Sequence, residues 1–313
     1  MGDRSSNTKF KIPVAINIIV ITLVSAMYFL LLMLASQQQH WYGVLAVAFL
    51  FGIVMIPLYT LIHEAEHGIL LNGSRANYLT GCWLSCLFIA PFSFIKHCHL
   101  RHHKKNRTDI EMWDLYYEHQ DKWKRYGNLY FIMIGFGYLG IVLSVLLFSI
   151  ADKLVYSRLF TQHTETAGFL QGSNDRRKIK VFKLESIFVI LFHAACFYFL
   201  KFEWKGWVCC YLVHGFIWSS QNYVTHAFSP RDIINGAHNL SVPKWLNIIY
   251  LNFNLHLVHH QNPKIPWIYL PAFIKNKTGR NISFFKNYIR LWKGPVVTHE
   301  PDPSKRNSAI MTE

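Results

Sequence analysis

Eight histidines in this chain fall into three boxes, His63-Glu-Ala-Glu-His67, His99-Leu-Arg-His102-His103 and His256-Leu-Val-His259-His260, and a ninth, His226, stands between the second and third. With 17 histidines in 313 residues, a His-x-x-His-His pattern arises by chance about 0.05 times in such a chain. Two copies therefore carry the inference, and the first box borrows from them. Each box borders an apolar stretch, and desolvating so many polar rings requires a compensating partner. Imidazole suits iron, copper, nickel and zinc, so the partner expected is a transition metal.

Spacing sets how many metals. On a helix, His63 and His67 lie one turn apart on one face. In the second box His99 shares a face with His102 or His103, while the remaining neighbour points about 100° away. Such a box feeds two metals, and His256, His259 and His260 repeat the arrangement. Nine nitrogens suffice for two irons with four or five nitrogens each and positions left open for oxygen. Asn222 lies one turn before His226, so its side-chain oxygen is a tenth candidate ligand, direct or through water. His97 is a weaker candidate, as a ligand or as a donor behind one. Lone histidines on apolar segments, such as His193 and His214, read as satisfied core residues.

The boxes span residues 63–260 and must meet, which points to one catalytic unit. Only 16% of residues are charged and 52% are hydrophobic, well below the charge content of a soluble domain. Residues 12–36 carry no charge and are long enough to cross a bilayer; they read as an uncleaved first span behind a basic arm. Residues 41–62 return, with Trp41 and Tyr42 as interfacial anchors. The positive-inside bias then makes the side of the boxes and of both termini cytoplasmic.

The net charge of +15 comes with no nucleic-acid motif and fits that cytoplasmic face. If residues 78–95 crossed fully, the second box would land opposite the first, so this segment is expected to be re-entrant or interfacial. The same parity requires residues 128–150 to bend back at their glycines, or one of the apolar stretches 185–200 and 206–221 to lie flat. The expected architecture is an all-α integral membrane protein with about four to six membrane helices and a histidine-rich cytoplasmic cap. Residues 1–11 form an N-terminal arm, 12–290 a single membrane catalytic domain and 291–313 a polar C-terminal tail, disordered over about its last 15 residues. Six cysteines without a Cys-x-x-Cys pair are expected to be reduced, with Cys98 a remote ligand candidate.

The first box also satisfies His-Glu-x-x-His, in which Glu64 would be the base of a zinc protease; that reading leaves the other boxes unexplained. A non-catalytic metal-binding membrane protein would not need open coordination positions. In its motifs HEAEHG, HLRHHKKN, NYVTHAF and NLHLVHHQNPKIPW, the chain resembles the membrane fatty acid desaturase superfamily over residues 41 to 267. The resemblance implies a mushroom of membrane helices under a cytoplasmic di-iron cap with an acyl-chain tunnel. It implies iron ligands at His63, His67, His99, His102, His103, His226, His256, His259 and His260, with Asn222 as the tenth.

The activity implied is O2-dependent desaturation of a fatty acyl chain; the same frame serves lipid or carotenoid hydroxylases and ketolases and alkene-forming fatty acid decarboxylases. The His-Pro-Gly-Gly haem motif of fused desaturases is missing here, as are flavin and iron–sulfur signatures. Electrons are therefore expected from a separate carrier such as a ferredoxin. Lys104, Lys105, Arg107 and Lys264 are its candidate docking surface, or a lipid head-group site, unless they serve only as positive-inside anchors.

Overall fold

The computed structural model describes residues 10–274 and 281–305. Helices α1 (Val14–Gln37) and α2 (Trp41–His67) form an antiparallel hairpin. Neither carries a charge before Glu64, and in hydrocarbon only a helix pairs every backbone group within the segment. Gly68 stops α2 just past His67: at φ 74° it adopts the left-handed conformation that lets its N–H bond the Ala65 carbonyl.

Next, α3 (Ser74–Leu87) and α4 (Phe92–Lys105) meet at 99°. A corner in apolar surroundings leaves carbonyls without helical partners, and side chains from later helices supply them. His193 Nε2 reaches the Cys86 carbonyl at 3.0 Å, while the Tyr211 and Tyr138 hydroxyls donate to Leu87 and Phe88. His193 is thus a core residue bonded through Nε2 alone, and neither ring nitrogen of buried His214 has a hydrogen-bond partner among the described residues, so the expectation of satisfied core histidines is corrected for His214. The corner returns His99 to within 2.7 Å of His67, so the pair starts and ends at the histidine end of α2, as parity required of 78–95.

Residues 122–150 bend in the same sense. Here α5 (Lys122–Phe131) and α6 (Gly137–Ile150) flank a π-turn at Ile132–Phe136, in which Gly135 takes φ 118°, a value that side chains with a Cβ rarely adopt. Arg125 of α5 bonds the Met112 carbonyl and Glu165, both at the histidine end. The bend itself lies beside Gly215 and Phe216. At the far end of α6, the Phe148 ring packs on Phe182 at 5.2 Å, within two turns of the start of α8. The hairpin therefore dips alongside the bundle and comes back.

A short helix, α7 (Thr164–Leu170), leads to α8 (Arg176–Leu200) and α9 (Trp204–Asn222). Asp175 caps α8 by accepting from the Arg177 and Lys178 N–H groups, and Glu203 caps α9. Helices α2 and α9 run toward the histidines; α1 and α8 run away. Where α1 meets α9, a Cβ on Gly206 would sit 2.8 Å from the Ala35 carbonyl oxygen, so glycine sets that approach. Four helical segments are long and apolar enough to cross a bilayer: Val14–Gln37, Trp41–His67, Lys122–Ile150 and Arg176–Leu200. Helix α9 falls short by composition, with His214, Ser219 and Ser220 buried.

The cap holds the third box on α10 (His256–Gln261) and two small parallel strand pairs. At its centre Arg107 and Asp114, both fully buried, form a bidentate pair (2.6 and 3.1 Å) that Tyr223 and the Ser229 carbonyl complete. Burial alone would raise the Asp114 carboxyl; Arg107, Tyr223 and the Phe228 N–H outweigh it and hold it below its ordinary range. Removing one partner of such a pair strands the other charge. Asp114→Ala is expected to destabilise the protein by about 3–5 kcal/mol, read from the midpoint of unfolding in SDS–detergent mixtures. A carboxyl depressed in the folded state adds stability above its unfolded value near 3.8 and loses it as pH falls through the folded value. Wild type should therefore lose stability below about pH 4 more steeply than Asp114→Asn; superimposable acid profiles would rule this out.

The C-terminal segment folds back onto the cap. Val296–Val297 pairs with Leu115–Tyr116, Arg231 bonds the Glu300 carbonyl, and Asp302 accepts from the Asp109 N–H at 3.2 Å. The expectation of disorder from about residue 299 is thus corrected for residues 299–305, which the Arg231–Glu300 bond and buried Asp302 hold in place. Residues 306–313 and most of the N-terminal arm lie outside the described residues. The arm's end is anchored to the cap: Phe10 packs on Tyr269 and Phe273, and the Tyr269 hydroxyl donates to the Lys11 carbonyl.

Candidate metal centre

Each box sits at a helix end that points into one space. His63 and His67 occupy the last two turns of α2, His99, His102 and His103 the last turns of α4, and the third box forms most of α10. His226 follows the 3-10 turn that ends α9. Two groups result: His63, His67, His99, His103 and His259 in one, and His102, His226, His256 and His260 in the other. Within each, one nitrogen per residue lies within 4.8 Å of all the others. Adjacent residues therefore serve different groups, His102 against His103 and His259 against His260, as the helical turn per residue requires. The groups abut, with the His103 and His260 rings stacked at 4.4 Å.

The donor set fits a metal. Nε2 of His99 lies 2.7 Å from that of His67 and 3.1 Å from that of His103, which is 3.1 Å from that of His259. In the second group the Nε2 atoms of His102 and His260 are 3.3 Å apart. Packed neutral imidazoles present lone pairs to one another, an arrangement that a cation relieves. Both ring nitrogens of His63 and Nε2 of His226 are buried with no hydrogen-bond partner. Burial, then the neighbouring rings, pushes His226, His256, His259 and His260 well below their ordinary range. They stay neutral, the form that binds metal.

Partners behind two of the rings orient them. His102 Nδ1–H donates to Glu111 Oε2 at 2.5 Å, and His226 Nδ1–H donates to the Gly236 carbonyl at 2.9 Å. Each of these two bonds fixes the tautomer that turns Nε2 inward and raises its basicity. Glu66 Oε2 lies 3.9 Å from His99 Nδ1, a charge neighbour outside hydrogen-bond distance. The reading of the boxes missed Glu66, Glu111 and Gly236. Glu66 sits inside the first box, and Glu111 follows the second by less than ten residues, so carboxylates close to a box were the available signal.

Of the other candidates, Asn222 lines the cavity beside His226 and His256. His97 belongs to neither group and contacts the Gln171 carbonyl at 3.2 Å. Cys98 also lies in neither group, and all six cysteines are free thiols. Glu64 accepts from the Trp267 N–H at 3.0 Å, so its carboxylate is engaged as a structural acceptor. Arg107 is corrected as a docking residue, because its guanidinium is wholly buried in the pair with Asp114. Lys264 donates to the His67 carbonyl at 2.7 Å and braces the end of α2.

A cavity of about 570 Å³ opens onto His99, His102, His226 and His256. Phe94, Met133, Leu147, Trp218 and Phe253 are among its walls. Its size is that of a small-molecule site, and its lining is mostly apolar.

Fold and site together describe a mostly helical integral membrane protein with a two-part histidine centre at one end of its bundle. The fatty acid desaturase family profile matches residues 39–276, and the chain belongs to that family. The matched stretch contains all ten ligand candidates. No curated protein matches the chain significantly.

Proposed function

We propose that this chain is an oxygen-dependent di-iron desaturase that inserts a double bond into a fatty acyl chain. The observation that carries the reading is the division of nine buried or half-buried histidines into two abutting groups, four of whose members line a largely apolar cavity. One iron would be held by His63, His67, His99, His103 and His259. The other would be held by His102, His226, His256 and His260, with Asn222 as a further donor, directly or through water. Bound iron supplies the reducing power toward O2 that makes it an oxidant for an unactivated C–H bond. Overall, –CH2–CH2– becomes –CH=CH– and the two hydrogen atoms removed combine with one O2, two donor electrons and two protons to give two waters.

The chain's own residues position and shield. Trp218, Phe253 and Met133 hold the acyl chain against the centre and exclude water, and Glu111 and the Gly236 carbonyl hold the imidazoles of the second group. Electrons come from a separate carrier such as a ferredoxin, drawn to a basic cytoplasmic face on which Lys104 is exposed. Helices α1, α2, α8 and α9 cross the membrane, while α3–α4 and α5–α6 are re-entrant, so the boxes and both termini are cytoplasmic. Residues 12–290 form one catalytic domain, and the following segment is docked on it through residue 305.

Expression in a desaturase-deficient host with lipid mass spectrometry tests this reading. New double bonds, with about two irons per purified chain, are the expected result. Hydroxylated or terminal-alkene products would reassign the reaction, and about one zinc per chain would favour a protease centre.

A further inference from the structure

The cavity's opening identifies how its substrate arrives, an inference that rests on the desaturase reading. Three of the residues lining the cavity are exposed, Phe131, Gly140 and Leu143, and all three belong to the α5–α6 hairpin. A residue that both lines a cavity and is exposed marks its mouth, and Phe131 is 54% and Leu143 41% exposed. They stand on opposite arms of the bend, so the mouth is the gap between the arms. Gly140 borders it from α6, and a Cβ built there meets nothing within 4 Å. A larger residue at 140 would thus grow into open space.

The surroundings of this mouth are apolar. No charged residue occurs from Tyr126 to Ala151. The outer face of the hairpin is a stripe of exposed Ile134, Leu139, Leu146 and Ile150, apolar surface that a water-facing element would not carry in a continuous patch. The cavity wall adds a charge argument. Among the described residues no Lys or Arg lines it, whereas Glu66, Glu111 and Glu165 do, and Arg125 is already paired with Glu165. A soluble thioester with a polyphosphate or phosphopantetheine carrier would need cationic partners for its anionic groups. An acyl chain already in the bilayer needs none.

We propose that the substrate is an acyl chain of a membrane-resident lipid, and that it reaches the metal centre sideways from the bilayer between the arms of the α5–α6 hairpin, past Phe131, Gly140 and Leu143. The iron-loaded protein in phosphatidylcholine nanodiscs doped with a phosphatidylcholine that carries a diazirine on one acyl chain tests this. After photolysis, mass spectrometry should find adducts on cavity residues such as Met133, Leu147 and Trp218. Gly140→Trp and Leu143→Trp should each cut cavity labelling by about tenfold or more by closing the mouth, while Leu146 on the lipid face labels as before. Leu139→Trp, on the outer face and away from the cavity, should leave labelling unchanged. Retained iron identifies the variants as folded.

Undiminished cavity labelling in both iron-loaded mouth variants would overturn the proposal. So would a diazirine acyl-coenzyme A added from the aqueous side that labels the cavity better than the lipid and equally in wild type and Gly140→Trp. Labelling does not depend on turnover. Cavity adducts without new double bonds would sink the desaturase reading alone, and double bonds formed at full rate by Gly140→Trp would sink the sideways route alone.

Discussion

Replacing His259 with alanine is expected to leave about one iron per chain and to abolish desaturation, with turnover down by at least about a hundredfold. Replacing its neighbour His260 should give the same stoichiometry and the same loss, but with the other iron gone. The reason is angular: adjacent residues of α10 point about 100° apart, so His259 joins His63, His67, His99 and His103 while His260 joins His102, His226 and His256. The two losses are distinguishable spectroscopically. Mössbauer spectra of the 57Fe-loaded variants should each show one retained iron site, and the retained sites should differ because one has five imidazoles available and the other four. The double variant should bind almost no iron. Identical retained sites in the single variants, or two irons kept in either, would refute the division into groups.

Glu111→Gln is expected to weaken iron binding in the second group and lower turnover by about 10- to 100-fold. The carboxylate accepts from His102 Nδ1–H at 2.5 Å in a buried setting, where a charged acceptor strengthens the hydrogen bond and makes the opposite nitrogen a better donor to metal. Glutamine keeps the size and an acceptor oxygen but removes the charge, so it isolates electrostatics from packing. The variant should therefore fold normally, retain the first iron under chelator competition and lose the second earlier than wild type. Chelator profiles that coincide with wild type, together with unchanged turnover, would show that Glu111 is only a spacer.

The histidine centre was legible because its signal is local: each box encodes which residues share a helix face, and two helical boxes cannot bind together without dividing their rings between two groups. The bends at 78–105 and 122–150 were legible for a less direct reason. Boxes that must meet impose parity on whatever lies between them, and the glycines at 135, 137 and 140 offered the place to bend. What escaped is tertiary. Arg107 resembles any basic flank of a metal box until Asp114 and Tyr223 are seen to enclose it. His193 and Tyr211 gain meaning from the carbonyls of a corner more than a hundred residues earlier in the chain. The docked segment around Asp302 is charged and proline-rich, and nothing local announces that its backbone pairs with Leu115–Tyr116.

That docked segment ties the end of the described chain to the centre. Asp302 holds the N–H of Asp109, the first residue of the 3-10 turn that ends with Glu111, and Glu111 holds His102. All three histidine boxes precede in the chain the residue that clamps this turn. A chain cut after residue 295 would thus own every imidazole of both groups and still lack the tether behind one of them. The second group therefore rests on a contact that no box contains: Asp302 steadies the turn, the turn carries Glu111, and Glu111 aims His102.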